Sequence, residues 1–234
     1  MIRAVRYLYA ITVYTIWYGT RIVVNALVGI RGDPYDHLQR GYGRSLLHAT
    51  RIEVVVEGLD RLVPGQPYVF TANHESWVDI WMILVGLPGR LRFVFKKELS
   101  RIPFLGPAIN AMGHIAIDRG NRGSAFASYD RAAEAIRGGT SAVVFCEGTR
   151  SRTGKLLPFK KGPFVLAIAA QVPVVPIFCD QCFERLPAGS IAPKPGTVYL
   201  RIGQPIATAG LDYDARQSLA DRARAAMLAL GAHE

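Results

Sequence analysis

The sequence predicts an α/β protein: a mostly parallel central sheet of about seven strands flanked by helices, with an N-terminal membrane-associating helical segment. Three observations predict it. Short, nearly continuous apolar runs such as Tyr68-Val69-Phe70 and Val174-Val175-Pro176-Ile177 alternate with helical patterns, and strands apolar on both faces belong in a sheet covered on both sides. The 234 residues are half hydrophobic and one-fifth charged, which suits one large core and excludes a disordered chain or a multispan membrane protein. No internal repeat, low-complexity tract or interdomain linker breaks residues 49–234, so these form one domain behind an anchoring segment and connection at 1–48.

The elements follow in order. Residues 4–30 are mostly apolar, with Tyr7, Tyr9, Tyr14, Trp17 and Tyr18 adding aromatic bulk and Arg21 interrupting the run. The uninterrupted part, Tyr7 to Thr20, is shorter than the roughly 20 residues of a spanning helix. Arg3 and Arg6 suit a signal peptide, but there is no small-x-small cleavage site. Tyr and Trp favour the headgroup level, where Arg21 can snorkel. The segment therefore reads as an interfacial anchor, with a helical hairpin as one form of it. Residues 31–49 are polar and rich in turn formers, and read as a connection. Strands are expected at 52–57, 67–72, 91–95, 115–117, 141–146, 174–178 and 197–202. Helices are expected at 76–84, in short pieces around Pro103 and Pro107, then at 124–137 (stopped by Gly138-Gly139), 163–170 and 214–230.

Charge and cysteine content narrow the class. Against 18 Asp+Glu stand 28 Lys+Arg, a formal charge of +10, which favours anionic partners: lipid headgroups, phosphates, an acidic carrier protein or nucleic acid. Three cysteines are too few for a disulfide framework and suit a reducing compartment. Cys179-Asp180-Gln181-Cys182 has C-x-x-C spacing, but no second pair or nearby His completes a zinc site, so it reads as structural.

The stretch Asn73-His74-Glu75-Ser76-Trp77-Val78-Asp79 carries the strongest chemical signal. On one helix a five-residue step sets two side chains roughly 140° apart. With His74 in the turn after a strand and Asp79 in the first helical turn, the carboxylate can reach back to one ring nitrogen. The other nitrogen is then left as a general base. A plainer reading stands beside it: Ser76-x-x-Asp79 is a capping box, and His74 merely packs. Further segments lie after strands at the same sheet edge. Gly113 to Arg119 places a cation beyond a short strand, and Phe145 to Ser151 sets Glu147 and Arg150 around a glycine turn. Val172 to Ile177 frames a strand with two prolines. Cations and backbone amides gathered there suit a phosphate. Taken singly, each arginine reads as a solvated surface residue.

These four blocks, in order from Asn73 to Ile177, resemble those of the 1-acylglycerol-3-phosphate acyltransferases within the wider glycerolipid acyltransferase superfamily. N-H-x-x-x-x-D holds His74 and Asp79; G-x-I-x-I-D-R spans Gly113 to Arg119. F-P-E-G-T-R-S spans Phe145 to Ser151, with Cys146 in place of the usual proline, and the Val-Pro-Val-Val-Pro-Ile strand closes the set. The resemblance covers residues 50–205, and the aromatic N-terminus suits the family's membrane anchors. It implies that His74 deprotonates an acceptor hydroxyl while Asp79 orients the imidazole. The oxygen then attacks an acyl thioester without an acyl-enzyme, and Arg119 with the Glu147-Gly148-Thr149-Arg150 turn holds the acceptor's phosphate. Lys96, in Lys96-Lys97-Glu98, is a further phosphate contact or part of a solvated basic loop; Lys160-Lys161-Gly162 poses the same choice. No cofactor is implied beyond the donor, acyl-CoA or acyl carrier protein. Expected partners are membrane lipids and a lysophospholipid acceptor, at the cytoplasmic face of the plasma membrane. Acceptors without phosphate, such as a lyso-amino-acid lipid, and glycerol-3-phosphate itself remain open.

Other classes fare worse. Gly148 to Leu156 imitates a phosphate-binding P-loop, but five residues separate its glycines and Leu156 stands where Ser or Thr would hold magnesium. No G-x-S-x-G nucleophile elbow occurs. A metal-dependent hydrolase using His74 and Asp79 lacks H-x-x-x-H or a second acidic-histidine cluster. A basic nucleic-acid binder lacks a recognised module. His37, His48 and His233 lie outside any cluster, and His114 occupies a variable position in its block and receives no role.

Overall fold

The computed structural model describes residues 2–30, 32–117 and 122–233, with 122–127 described by their backbone only. Among them seven strands form one sheet: β1 (Ile52–Glu57), β2 (Val69–Ala72), β3 (Arg90–Lys96), β4 (Ile115–Ile117), β5 (Thr140–Phe145), β6 (Val174–Asp180) and β7 (Gly196–Ile202). Their order is β1-β7-β6-β2-β5-β3-β4. Every neighbouring pair is parallel except β6 with β7. Helices α1 (Ile2–Leu27) and α2 (Asp33–Thr50) precede the sheet. The others are α3 (Val78–Gly86), α4 (Leu105–Ala111), α5 (Arg122–Arg137), α6 (Gly162–Ala170), α7 (Cys182–Arg185) and α8 (Arg216–Ala229).

Period-two alternation splits the strand side chains between two cores. Phe70, Val143, Val175 and Ile177 face one side and pack with Leu46 of α2 and Trp81, Met82 and Ile83 of α3. Their neighbours Val69, Ala142, Val144 and Val174 face the other, against Ile136, Phe164, Leu219 and Ala223 from α5, α6 and α8. Both faces are thus covered, which is why these strands read as unbroken apolar runs rather than as alternating ones.

The region expected to be a connection, 31–49, is a correction: most of it is α2. Tyr35, Gln39, Gly43, Leu46, Leu47 and Thr50 recur at helical spacing on its buried face. Pro34 opens the helix, and Asp33 and Asp36 stand in its first turn, where acidic groups complement the helix dipole. The glycines that look like turn formers are close-approach positions instead. A Cβ on Gly43 would meet the Trp81 carbonyl at 3.1 Å, and one on Gly41 would meet the Tyr18 ring at 2.9 Å. From α2, Arg40 donates to the carbonyls of Leu84 and Leu87, each at 2.7 Å, and of Gly89 at 2.6 Å, closing the C-terminus of α3 with a cation.

α1 runs unbroken through Arg21 and folds back onto α2, with Thr15 Oγ1 at 3.1 Å from the Tyr42 hydroxyl and Tyr18 at 3.1 Å from Ser45. Tyr7 and Ala10 share the core of Trp81 and Leu46. On the outer side Val5, Tyr9, Ile16, Trp17 and Val24 are exposed. Among the described residues no helix is long and apolar enough to cross a membrane.

Candidate active site

Register brings the loops together. Ala72, the last residue of β2, lies opposite Phe145 of β5 and Ile177 of β6, so the residues that follow β2 and β5 emerge at one edge of the sheet. Asn73 clips the third strand to them: its side chain accepts from the Cys179 amide at 2.7 Å and donates to the Cys179 carbonyl at 3.2 Å. The His74 amide donates to Glu147 Oε1 at 2.8 Å, and the Ser151 amide donates to the His74 carbonyl at 2.7 Å. His74 is thereby fixed by its own backbone.

Its ring is held as firmly. Nδ1 lies 2.8 Å from Asp79 Oδ2, and the imidazole stacks on Phe145 at 3.8 Å between centroids. A carboxylate only accepts, so Nδ1 carries the proton and Nε2 presents its lone pair. The same Oδ2 accepts from the amides of Glu75 at 2.7 Å and Ser76 at 2.9 Å. Capping and imidazole orientation are therefore performed by one fully buried carboxylate oxygen. Ser76 adds its own cap by accepting from the Val78 amide, while its hydroxyl donates to the Leu186 carbonyl at 2.7 Å.

The remaining residues singled out in the sequence divide into groups. Glu147, expected beside the acceptor's phosphate, turns inward. It is 2% exposed, and its two oxygens accept from the amides of His74 and Leu157. Burial pushes its carboxyl up to about 7 against the pull of those two amides. Glu75 is pushed up to about 8 by burial and then by the Asp79 charge. Neither is a surface group: Glu75 is 6% and Glu147 2% exposed, and the polar runs they stand in give no sign of that burial. Gly148, at φ 73°, lets the chain turn back after β5 in a conformation that side chains resist. Arg150 lays its guanidinium over the Trp77 ring at 5.0 Å. Lys96 is exposed and paired with Glu98 at 3.2 Å. Arg119 lies outside the described residues. The thiols of Cys179 and Cys182 are buried and pushed well above their usual range by burial and then by Asp79, so they fill space as neutral groups.

A cavity of about 440 Å³ opens beside His74 and is lined also by Lys96, Gly148, Thr149 and Arg150. Its deeper walls are apolar and come from distant parts of the chain: Ile22 of α1, Trp81 of α3, Ala108 of α4 and Phe93 of β3 among them. Ile22, Ala108 and Met112 belong to a cluster of their own with Tyr35. A basic, polar mouth thus leads into a greasy interior, and an imidazole with a free lone pair stands at the junction.

The family model described as Acyltransferase matches residues 53–180. The human 1-acyl-sn-glycerol-3-phosphate acyltransferase alpha is 38% identical over 178 residues, 76% of this chain and 63% of that protein. The 1-acyl-sn-glycerol-3-phosphate acyltransferase of Saccharomyces cerevisiae is 34% identical over 180 residues, 73% of this chain and 59% of that protein. The chain thus spans less than two thirds of the length of these curated relatives. The crystal structure of the 1-acyl-sn-glycerophosphate acyltransferase PlsC from Thermotoga maritima superposes with a TM-score of 0.76 at 26% identity, covering 100% of this chain and 96% of that one. With more than half its length matched by the family model, and with the four sequence blocks inside or beside that match, the chain belongs to the acyltransferase family.

Proposed function

We propose that the protein transfers a fatty acyl group from an acyl thioester to the free hydroxyl of 1-acylglycerol-3-phosphate, giving phosphatidic acid. The observation that carries this reading is the 2.8 Å contact between His74 and Asp79 at the mouth of an apolar cavity. A hydroxyl is a poor nucleophile at neutral pH, and a placed base contributes about 10²–10⁴-fold. His74 Nε2 takes the hydroxyl proton as the oxygen attacks the thioester carbonyl. The tetrahedral intermediate collapses, the C–S bond breaks, and the proton passes from the imidazolium to the departing thiolate. Asp79 orients the ring and offsets its transient charge. Glu147 serves as a positioning residue through the His74 amide.

Arg150, Thr149 and Lys96 suit the acceptor's phosphate, with Arg119 implied by the family's block, and the apolar walls suit the acyl chains. The names of the relatives support the acceptor. Holding both substrates in one geometry supplies much of the remaining acceleration. The surplus of 10 positive charges suits acyl-CoA or acyl carrier protein alike, since both are acidic. The exposed apolar face of α1 supports attachment in the plane of the membrane rather than across it, at the cytoplasmic leaflet where such donors are found. The test is a purified-protein assay pairing lysophosphatidate, glycerol-3-phosphate and phosphate-free lysolipids with both donors, read by lipid mass spectrometry. Phosphatidate formation with release of free thiol is expected; no acyl product from any pairing would overturn the reading.

A further inference from the structure

The N-H-x-x-x-x-D block leaves Trp77 at an unspecified position, yet the fold gives this side chain a particular place. Its neighbours Ser76 and Val78 are fully buried, whereas Trp77, the N-cap residue of α3, is 41% exposed. It lines the active-site cavity together with His74, Thr149 and Arg150. The Arg150 guanidinium lies over its ring, 5.0 Å from the centroid. The pair thus joins the loop after β2 to the loop after β5, on the side of the cavity where the polar groups gather.

Arg150 has an anchored base and a tip held in one way only. Before it, Glu147 accepts from the amides of His74 and Leu157; after it, the Ser151 amide donates to the His74 carbonyl at 2.7 Å. The backbone on both sides is therefore fixed. At the tip, no described residue accepts a hydrogen bond from the guanidinium or forms an ion pair with it. Arg40, Arg90, Arg92 and Arg201 differ, each being held by carbonyls or a carboxylate. Trp77 is thus the contact that sets where the Arg150 charge sits. An aromatic ring attracts a cation through its quadrupole and supplies no strong acceptor, so the N–H donors stay available to an anion. A carboxylate in the same place would occupy those donors and repel a phosphate.

We infer that Trp77 is a positioning residue for the acceptor's phosphate: it holds Arg150 at the cavity with the guanidinium's donors uncommitted. The inference rests on the acyltransferase reading above. Trp77 acts through Arg150 and not on the reacting atoms. Its loss should therefore weaken binding of the phosphate while proton transfer at His74 Nε2 proceeds as before. A partly exposed cation–π pair contributes about two- to tenfold in affinity, which sets the size of the effect.

The experiment is a double-mutant cycle on the purified full chain, with lysophosphatidate as the varied acceptor. It is run in detergent solution, so that membrane partitioning of an exposed tryptophan does not enter. Trp77→Leu should raise the KM for lysophosphatidate about two- to tenfold, with kcat and the donor's KM little changed. Trp77→Phe, which keeps a ring, should raise it less. In an Arg150→Gln background, where KM is already raised, Trp77→Leu should add almost nothing. Cooperative thermal unfolding verifies each variant's fold, and Trp77→Met replaces Trp77→Leu should the latter not fold. A wild-type protein that forms no phosphatidate overturns the acyltransferase reading and this inference with it. With phosphatidate formed normally, an unchanged KM in Trp77→Leu or in Arg150→Gln overturns the role of Trp77 alone. So does an equal rise in KM with and without Arg150, or a fall in kcat that matches the loss in kcat/KM.

Discussion

Replacing Asp79 by Asn removes a charge while keeping the shape. The wild-type Oδ2 accepts three hydrogen bonds, from His74 Nδ1 at 2.8 Å and the amides of Glu75 and Ser76 at 2.7 and 2.9 Å. A bond to a charged group contributes about 1.5–3 kcal/mol and a neutral one about 0.5–1.5. The two backbone bonds together should then lose roughly 2 kcal/mol of stability. Relief of repulsion offsets part of this, because the Asp79 charge is one cause of the raised pKa of both Glu75 and Glu147. The catalytic loss should be larger. An imidazolium about 4 Å from a carboxylate gains about 4 kcal/mol at an effective dielectric of 20, and that attraction exists only once the proton has moved. A fall in kcat of roughly 10²–10³ follows, with the acceptor's KM little changed. Urea unfolding gives the stability and continuous thiol release gives the rate. A folded Asp79→Asn protein with kcat within about threefold of wild type would refute the reasoning.

Three further outcomes follow from other parts of the molecule. Glu75 has its carboxyl raised from 4.5 to about 8, so the folded state holds a proton the unfolded chain has released. Its contribution to stability is full below about pH 4.5 and is lost as pH rises through about 8. Glu75→Gln should therefore gain stability relative to wild type between pH 5 and pH 8, by on the order of 2–4 kcal/mol; a pH-independent difference in urea midpoints would contradict this. Arg119→Ala should raise the acceptor's KM with kcat little altered, and equal losses in kcat and kcat/KM would remove it from ground-state phosphate binding. Trp17→Glu, at an exposed position of α1, should cut binding to anionic vesicles at least roughly tenfold while leaving Tm almost unmoved. Unchanged partitioning would count against membrane attachment through this face. Deleting α1 outright is a poorer test, because Tyr7 and Ala10 belong to the central core.

The centre of the sheet was legible because β2, β5 and β6 are buried on both faces, so they announce themselves as runs such as Val143-Val144 or Val174-Val175 bounded by turns. Asp79 was legible as a partner of His74 because a turn residue followed by a first-turn carboxylate leaves few geometries, although its simultaneous hold on two amides was not. α2 escaped notice because Gly41 and Gly43 read as turn residues when nothing reveals that Tyr18 and Trp81 press against them. The direction of the Glu147 carboxylate was not legible for a related reason: spacing puts the residue at this edge of the sheet, but does not say that its oxygens take the amides of His74 and Leu157. The cavity is the least readable feature, since its walls come from α1, α3, α4 and β3 and exist only after those segments pack. His114 shows the same limit, for only the fold sets its Nδ1 against the Phe93 amide.

The most direct test of the general-base role is the kcat of His74→Ala at saturating donor and acceptor, with the fold verified by cooperative unfolding. A fall of about 10²–10⁴ is expected. A folded His74→Ala protein that retains kcat within about threefold of wild type would contradict it.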